Sequence, residues 1–302
     1  MEIPVIDLEP FTHGEGQEHD RVSREVDRAA RETGFMYLKQ PLLTESDRSF
    51  MEDMAREFFS RSRAHKNCHA FEQALNFGYG AVGGEGLDPH RPKDLKETFT
   101  MRDVEKRLDD PDRWPDERFR EASTYFYRKC RRICSYVMEA FARNLDLEPD
   151  FFEDKHTGRT QTLRLLHYPP AEAASAGQLG AGEHTDYGSC TLVFQDEAGG
   201  LEVQALDGSW VSAPPIPGTV VVNTGDLLAR WTNDVYCSTP HRVRVRPEDA
   251  EKGRLSIAFF NDPDPDVRVE TLPSCITAQR PQKYLPITAY NHILERIAAS
   301  NK

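Results

Sequence analysis

Three side chains of the kinds that bind a catalytic metal stand in His184-Thr185-Asp186 and at His241. Residues two apart in an extended chain share a face. His184 and Asp186, placed where a glycine-rich stretch gives way to a strand, can therefore reach one ion. By itself the pair says little, because a chain with ten histidines is expected to contain about one His-x-Asp by chance, and an ordinary loop explains it as well. His241 adds weight. It opens a later strand, after the turn-rich Thr232-Asn233-Asp234 and Ser238-Thr239-Pro240, and completes a set of two imidazoles and one carboxylate. Such a set covers one face of an octahedron and leaves three positions open, the arrangement used by non-heme Fe(II) oxygenases. A structural zinc would close a tetrahedron, commonly with thiolates, and no cysteine is suitably spaced, although Cys237 is near His241 in sequence. On ligand type alone, catalytic zinc stays open.

Arg254-Leu255-Ser256 is a second pair two residues apart, thirteen residues after His241, in a run that continues Ile-Ala-Phe-Phe. A guanidinium at the start of a buried strand is unfavourable unless it meets an anion, and its planar fork suits a carboxylate, with the serine hydroxyl as a further donor. A dicarboxylate co-substrate would satisfy it. The same pattern at Arg21-Val22-Ser23 reads as a solvated helix face, so only the position of the later copy, after the third metal-binding residue, gives it meaning.

The elements that must hold these side chains fall into two groups. Extended pieces are expected at Ile3–Leu8 and Phe35–Lys39, and amphipathic helices over 18–33, 45–60 and 116–145. In the longest, Phe119, Ala122, Phe126, Cys130, Ile133, Val137 and Phe141 recur every three or four residues, which places the i,i+4 pair Cys130 and Cys134 in a core. From Thr162 onward the pattern turns to short strands: Thr162–Tyr168, Ser189–Gln195, Leu201–Gln204, Trp210–Ser212, Thr219–Asn223, His241–Arg246 and Arg254–Phe260. Strands of this length and spacing suit a sandwich or barrel, of which the double-sheet jelly roll is one solution. A helix over Ile287 to Ala299 closes the chain, and Ala171–Gly182 reads as a small-residue loop. The expected organisation is a mostly helical region 1–155 packed on a core 156–302, as one interlocked unit. The string Gly78-Tyr79-Gly80-Ala81-Val82-Gly83 matches GxGxxG, but neither a preceding strand nor a following helix is evident, so a glycine-rich loop is expected. His65 and His69 share a helix spacing without the glutamate of a zinc protease and read as surface histidines.

The 302 residues carry 38 basic and 50 acidic side chains, net −12, which disfavours a phosphate backbone as partner. No apolar run has the length of a membrane span, and the start lacks a signal-peptide pattern. A cytoplasmic protein, by default a monomer, is expected. Its six dispersed cysteines are expected to be reduced.

The sequence resembles the iron and 2-oxoglutarate-dependent dioxygenases of the isopenicillin N synthase-like superfamily over nearly its whole length. The resemblance is carried by Ile3-Pro4-Val5-Ile6-Asp7-Leu8, Thr33-Gly34-Phe35-Met36-Tyr37-Leu38, Asp94-Leu95-Lys96-Glu97-Thr98-Phe99 and Tyr168-Pro169-Pro170. It continues through His184-Thr185-Asp186, Gly200-Leu201-Glu202-Val203, Asn223-Thr224-Gly225-Asp226, Thr239-Pro240-His241-Arg242-Val243 and Arg254-Leu255-Ser256. It implies a mixed α and β fold, a double-stranded β-helix (jelly roll) with flanking helices. It implies Fe(II) on His184, Asp186 and His241, with O2 as oxidant, and 2-oxoglutarate anchored by Arg254 and Ser256 beside Tyr168. Leu166 stands where many plant members have Asn, and the step from His241 to Arg254 is longer than usual, with Pro247-Glu248-Asp249 suggesting a longer turn. Phe260 matches a position that often lines the substrate pocket, and plain core packing explains it as well. The implied activity is oxidation of a small molecule, by hydroxylation, desaturation or ring formation, with release of succinate and CO2 and no catalytic side chain beyond the metal centre. An oxidase like isopenicillin N synthase, which needs no 2-oxoglutarate, and a non-catalytic metal-binding jelly roll are the alternatives. Substrates of secondary metabolism, amino acids, peptides and 2-oxoglutarate itself all fit. The pocket is expected from Phe71–Thr100, the 171–182 stretch and the last helix.

Overall fold

A computed structural model describes residues 1–14, 16–84, 86, 93–170, 179–244 and 253–300. In chain order the elements are β1 (Val5–Asp7), α1 (Glu9–Thr12), α2 (Gln17–Glu32), β2 (Phe35–Lys39), α3 (Glu45–Ser60), α4 (Arg63–Asn67), β3 (Phe77–Gly80), β4 (Glu97–Arg102) and α5 (Glu117–Asn144). They continue with β5 (Thr162–Tyr168), β6 (Ala181–His184), β7 (Cys190–Gln195), β8 (Leu201–Gln204), β9 (Trp210–Ser212), β10 (Thr219–Thr224), α6 (Asp226–Trp231), β11 (His241–Val243), β12 (Arg254–Asn261), β13 (Arg268–Val269), β14 (Ile287–Thr288) and α7 (Ala289–Ser300). An eight-stranded sheet in the order β1-β2-β10-β7-β12-β5-β4-β3 faces a four-stranded sheet in the order β6-β11-β8-β9, which makes the jelly roll.

Strand alternation sends every second side chain of the large sheet to each face. On one face Met36, Leu38, Leu163, Leu165, Leu192, Phe194, Val220, Val222, Leu255, Ile257 and Phe259 join the apolar stripes of α2, α3 and α5 in the main core. Phe126, Ile133, Val137 and Phe141 of α5 are fully buried there, each worth about 1.5–3 kcal/mol of apolar burial. The helix starts are specified locally: Thr44 and Asp47 form a capping box on α3, and Asp116 caps α5 through the Phe119 amide. On the other face Phe35, Tyr37, Leu166, Tyr168, Val221 and Ala258 meet Ala181, Leu201, Val203 and Val243 of the small sheet. This second, smaller cluster surrounds the polar side chains discussed below.

The structure corrects several sequence expectations. The first 155 residues do more than pack on the core, since β1 to β4 are strands of the large sheet itself. Gly78-Tyr79-Gly80 is not loop but part of β3, paired to β4 through Gly78↔Thr100 and Gly80↔Thr98. Its glycines carry no side chain that would show a strand's alternation in the sequence. Gly78 has φ +115°, and a Cβ there would lie 2.7 Å from the carbonyl oxygens of both His69 and Ala70. Gly78→Ala is therefore expected to destabilise the protein by about 1–3 kcal/mol, read as a lowered urea midpoint at unchanged slope. The last helix starts at Ala289, two residues later than expected: Ile287 and Thr288 pair with β13, and the Thr288 hydroxyl accepts from the Asn291 amide. Ala181 and Gly182 belong to β6 rather than to a loop, while 171–178 and the expected turn at Pro247-Glu248-Asp249 lie outside the described residues. The strand expected to end at Arg246 ends at Val243. Cys130, Cys134, Cys190 and Cys275 are buried and all six cysteines are unpaired. Among the described residues no helix is long and apolar enough to cross a membrane.

Candidate metal centre

The inner face of the large sheet is a ladder of cross-strand rows. One row reads Arg102, Thr162, Phe260, Thr191, Asn223 and Phe35 across β4, β5, β12, β7, β10 and β2. The next reads Thr100, Arg164, Ala258, Val193, Val221 and Tyr37, and the one beyond includes Thr98, Leu166, Ser256 and Gln195. Tyr168 and Arg254 pair at the far end.

His184 and His241 sit directly opposite each other on the antiparallel pair β6 and β11, with ring centroids 4.3 Å apart. Asp186 is not on the strand as the spacing implied: β6 ends at His184, and Asp186 reaches back from the turn that follows. Each imidazole Nε2 lies 3.8 Å from Asp186 Oδ1. The facing atoms of the three residues lie within 4.8 Å of one another, the one such cluster among the described residues.

The surroundings fix which atoms face inward. His184 Nδ1 donates to the Gly182 carbonyl at 2.8 Å and His241 Nδ1 to the Thr239 carbonyl at 3.1 Å, so each Nε2 keeps its lone pair for a metal. Asp186 Oδ2 accepts from Thr191 Oγ1 and Asn223 Nδ2, both at 2.6 Å, leaving Oδ1 free to coordinate. Burial pushes the Asp186 carboxyl up, but His241, His184 and these two donors outweigh it and hold it below the usual carboxylate range. Burial, then the neighbouring His241, pushes His184 well down, which keeps its ring neutral and basic toward a cation. Phe35 meets His241 edge to face at 5.4 Å. Behind β6, Asp94 accepts the Gly182 amide at 3.0 Å and pairs with Lys96. From α7, Arg296 pairs with Asp226 at 2.8 Å and donates to Thr185 Oγ1 at 2.9 Å, bracing the residue between two of the three.

None of Thr191, Asn223, Asp94 or Arg296 was assigned a role from the sequence. Asn223 and Asp94 lay in stretches that carry the resemblance; Thr191 and Arg296 offered no such signal. Asn223→Ala, which removes one of two donors to Asp186 Oδ2, is expected to weaken metal affinity about 10–100-fold. Fe(II) titration of the variant against wild type checks this, and Thr191→Val should act in the same direction.

Arg254 and Ser256 are buried. The guanidinium donates to the Gly199 carbonyl, to Ser256 Oγ at 2.9 Å and to Gln195 Oε1 at 3.4 Å, and lies 4.7 Å from the centroid of the Tyr168 ring. All are neutral. Among the described residues no carboxylate pairs with it, so a buried positive charge here lacks a counter-ion, and a dicarboxylate fits that need. Asp196 holds the strand start in place, accepting the Leu255 amide at 2.6 Å and Arg56 at 2.9 Å. Ser256 is two rows, roughly 13 Å of strand, from the row under the metal cluster.

Phe260 is half-buried in the metal row, against the inner cluster. Leu166 is also inward, in the row of Ser256. Cys237 points elsewhere, toward the Arg31 carbonyl, so no thiolate joins the cluster. His65 and His69 are half-buried and form no metal cluster.

Two family models match the chain: the 2OG-Fe(II) oxygenase superfamily over residues 159–263, and the non-haem dioxygenase in morphine synthesis N-terminal region over 3–117. A 2-oxoglutarate-Fe(II) type oxidoreductase ppzD of Metarhizium rileyi is 32% identical over 98% of this chain and 90% of its own. Homoarginine-6-hydroxylase 2-ODD-C23 of Glycine max is 31% identical over 89% of this chain and 88% of its own. A full-length Neurospora crassa protein, crystallised in complex with alpha-KG and thymine, superposes with a TM-score of 0.88 at 33% identity, covering 99% of this chain and 97% of that one.

Proposed function

The chain belongs to the 2OG-Fe(II) oxygenase superfamily, and from that premise we propose how its residues divide the work of a 2-oxoglutarate-dependent dioxygenase. His184, Asp186 and His241 hold the iron. Arg254 and Ser256 bind the far carboxylate of 2-oxoglutarate over the face of Tyr168, and Phe260 lines the pocket of a small-molecule substrate. Bound Fe(II), with O2 and 2-oxoglutarate, supplies oxidation of a C–H bond coupled to release of succinate and CO2.

What the protein adds is placement. The carbonyls of Gly182 and Thr239 hold each imidazole in one tautomer, and Thr191 and Asn223 hold the carboxylate in one orientation. The Arg254 fork accepts a carboxylate without reorganising, since Ser256, Gly199 and Tyr168 already fix it. The apolar inner cluster keeps bulk water from the site. A small-molecule substrate is supported by the thymine in the Neurospora crassa structure and by the name of the soybean relative.

The observation that carries this reading is the combination of a metal-competent trio, two of whose members lie on the small sheet, with a buried arginine of the large sheet that has no acidic partner among the described residues. Anaerobic protein with Fe(II) and 2-oxoglutarate is expected to show a weak charge-transfer band near about 500 nm, arising from the keto-acid chelate on such a site. Succinate release in air should accompany turnover. Iron binding with neither band nor succinate would move the assignment to an oxidase that needs no 2-oxoglutarate.

A further inference from the structure

Asp262 follows the end of β12 at Asn261, two residues after Phe260, whose row carries Thr191 and Asn223, the donors to Asp186. β12 and the residue just past it thus offer a cation and a hydroxyl at one end and a carboxylate at the other. The carboxylate sits over the chain that follows the metal-binding residues: a Cβ on Gly188 would fall 1.8 Å from Asp262 Oδ1. Only glycine admits it there. The residue is half-buried, and its carboxylate makes no hydrogen bond or ion pair among the described residues. Burial pushes its carboxyl up; Arg102, at the far end of the Phe260 row, pulls it back from beyond ion-pair distance, and the Asp186 carboxylate adds to the upward push.

A carboxylate that can only accept, partly withdrawn from water and without a donor, is unfavourable until a donor arrives. Arg254, Ser256 and the metal trio are committed to the co-substrate and iron under the reading above, on which this inference rests. Phe260 supplies an apolar wall beside the carboxylate. We propose that Asp262 is a specificity-determining residue that receives an N–H group of the substrate, a protonated amine, guanidinium or ring N–H, and so selects nitrogen-bearing small molecules.

A site built around such a donor discriminates strongly against analogues that lack it, because the acceptor is then left unpaired. The test uses the anaerobic Fe(II) and 2-oxoglutarate complex and its charge-transfer band, titrated with matched probes: thymine against 1,3-dimethylthymine, benzylamine against benzoate, and L-homoarginine against L-norleucine. At least one N–H probe is expected to perturb the band and to accelerate succinate release, its partner far less. Asp262→Ala and the near-isosteric Asp262→Asn should weaken that probe by at least about tenfold, while the band formed without probe shows that iron and 2-oxoglutarate still bind. If no N–H probe perturbs the band in wild type, or if one binds equally well to wild type and both variants, the assignment is overturned while the co-substrate reading stands. If the band itself never forms in wild type, the co-substrate reading falls and this assignment with it.

Discussion

His241→Ala is expected to remove iron binding at micromolar Fe(II) and to abolish 2-oxoglutarate turnover. Three protein atoms converge here, and taking away one leaves a pair on one side of the ion, His184 Nε2 and Asp186 Oδ1, 3.8 Å apart. Loss of a mere supporting partner typically weakens a metal site about 10–100-fold, so loss of a ligand should exceed that. Iron analysis, the charge-transfer band and succinate release all read the loss, while far-UV dichroism checks the fold. A variant that kept iron and turnover would show that the reaction centre lies elsewhere.

Arg254→Ala separates the co-substrate from the metal. The variant is expected to bind iron as wild type does, because the guanidinium touches no member of the trio, yet to need far more 2-oxoglutarate. Truncating one partner of a buried, hydrogen-bonded charge pair costs about 2–5 kcal/mol, which corresponds to roughly 30- to several-thousandfold in apparent affinity. Arg254→Lys should recover only part of it, since an ammonium cannot present the planar fork. Ser256→Ala, which removes one hydroxyl donor, should fall between wild type and Arg254→Ala. Without co-substrate, Arg254→Ala is expected to match or exceed the thermal stability of wild type, because the wild-type guanidinium is buried and its partners among the described residues are all neutral. The KM for 2-oxoglutarate, iron content and melting temperature of the apo forms together distinguish loss of a binding charge from loss of a structural one.

The long periodic segments were legible in the sequence. Phe35–Lys39, Glu45–Ser60, Thr162–Tyr168, Leu201–Gln204 and Trp210–Ser212 are elements with the expected limits, and α5 differs from its expected span by one residue at each end. Repeated apolar spacing is a local property and survives folding unchanged. Where the pattern was erased by glycine, as in β3, or interrupted by small residues, as at the start of β6, the strands were missed. Their assignment depends on pairing with β4 and β11, which lie elsewhere in the chain.

The functional site divides along the same line. Residue types determined that His184, Asp186 and His241 could form a two-imidazole, one-carboxylate set, and that Arg254 with Ser256 could receive an anion. Only the tertiary structure decided that Asp186 reaches the histidines from a turn, that Thr191 and Asn223 occupy one of its oxygens, and that Arg254 meets no acid among the described residues. It alone brought Asp262 against Gly188, 74 positions earlier in the chain. Ligand chemistry is written in single side chains, whereas orientation, the absence of a counter-charge and the identity of a neighbour are set by cross-strand register, which couples residues far apart in sequence.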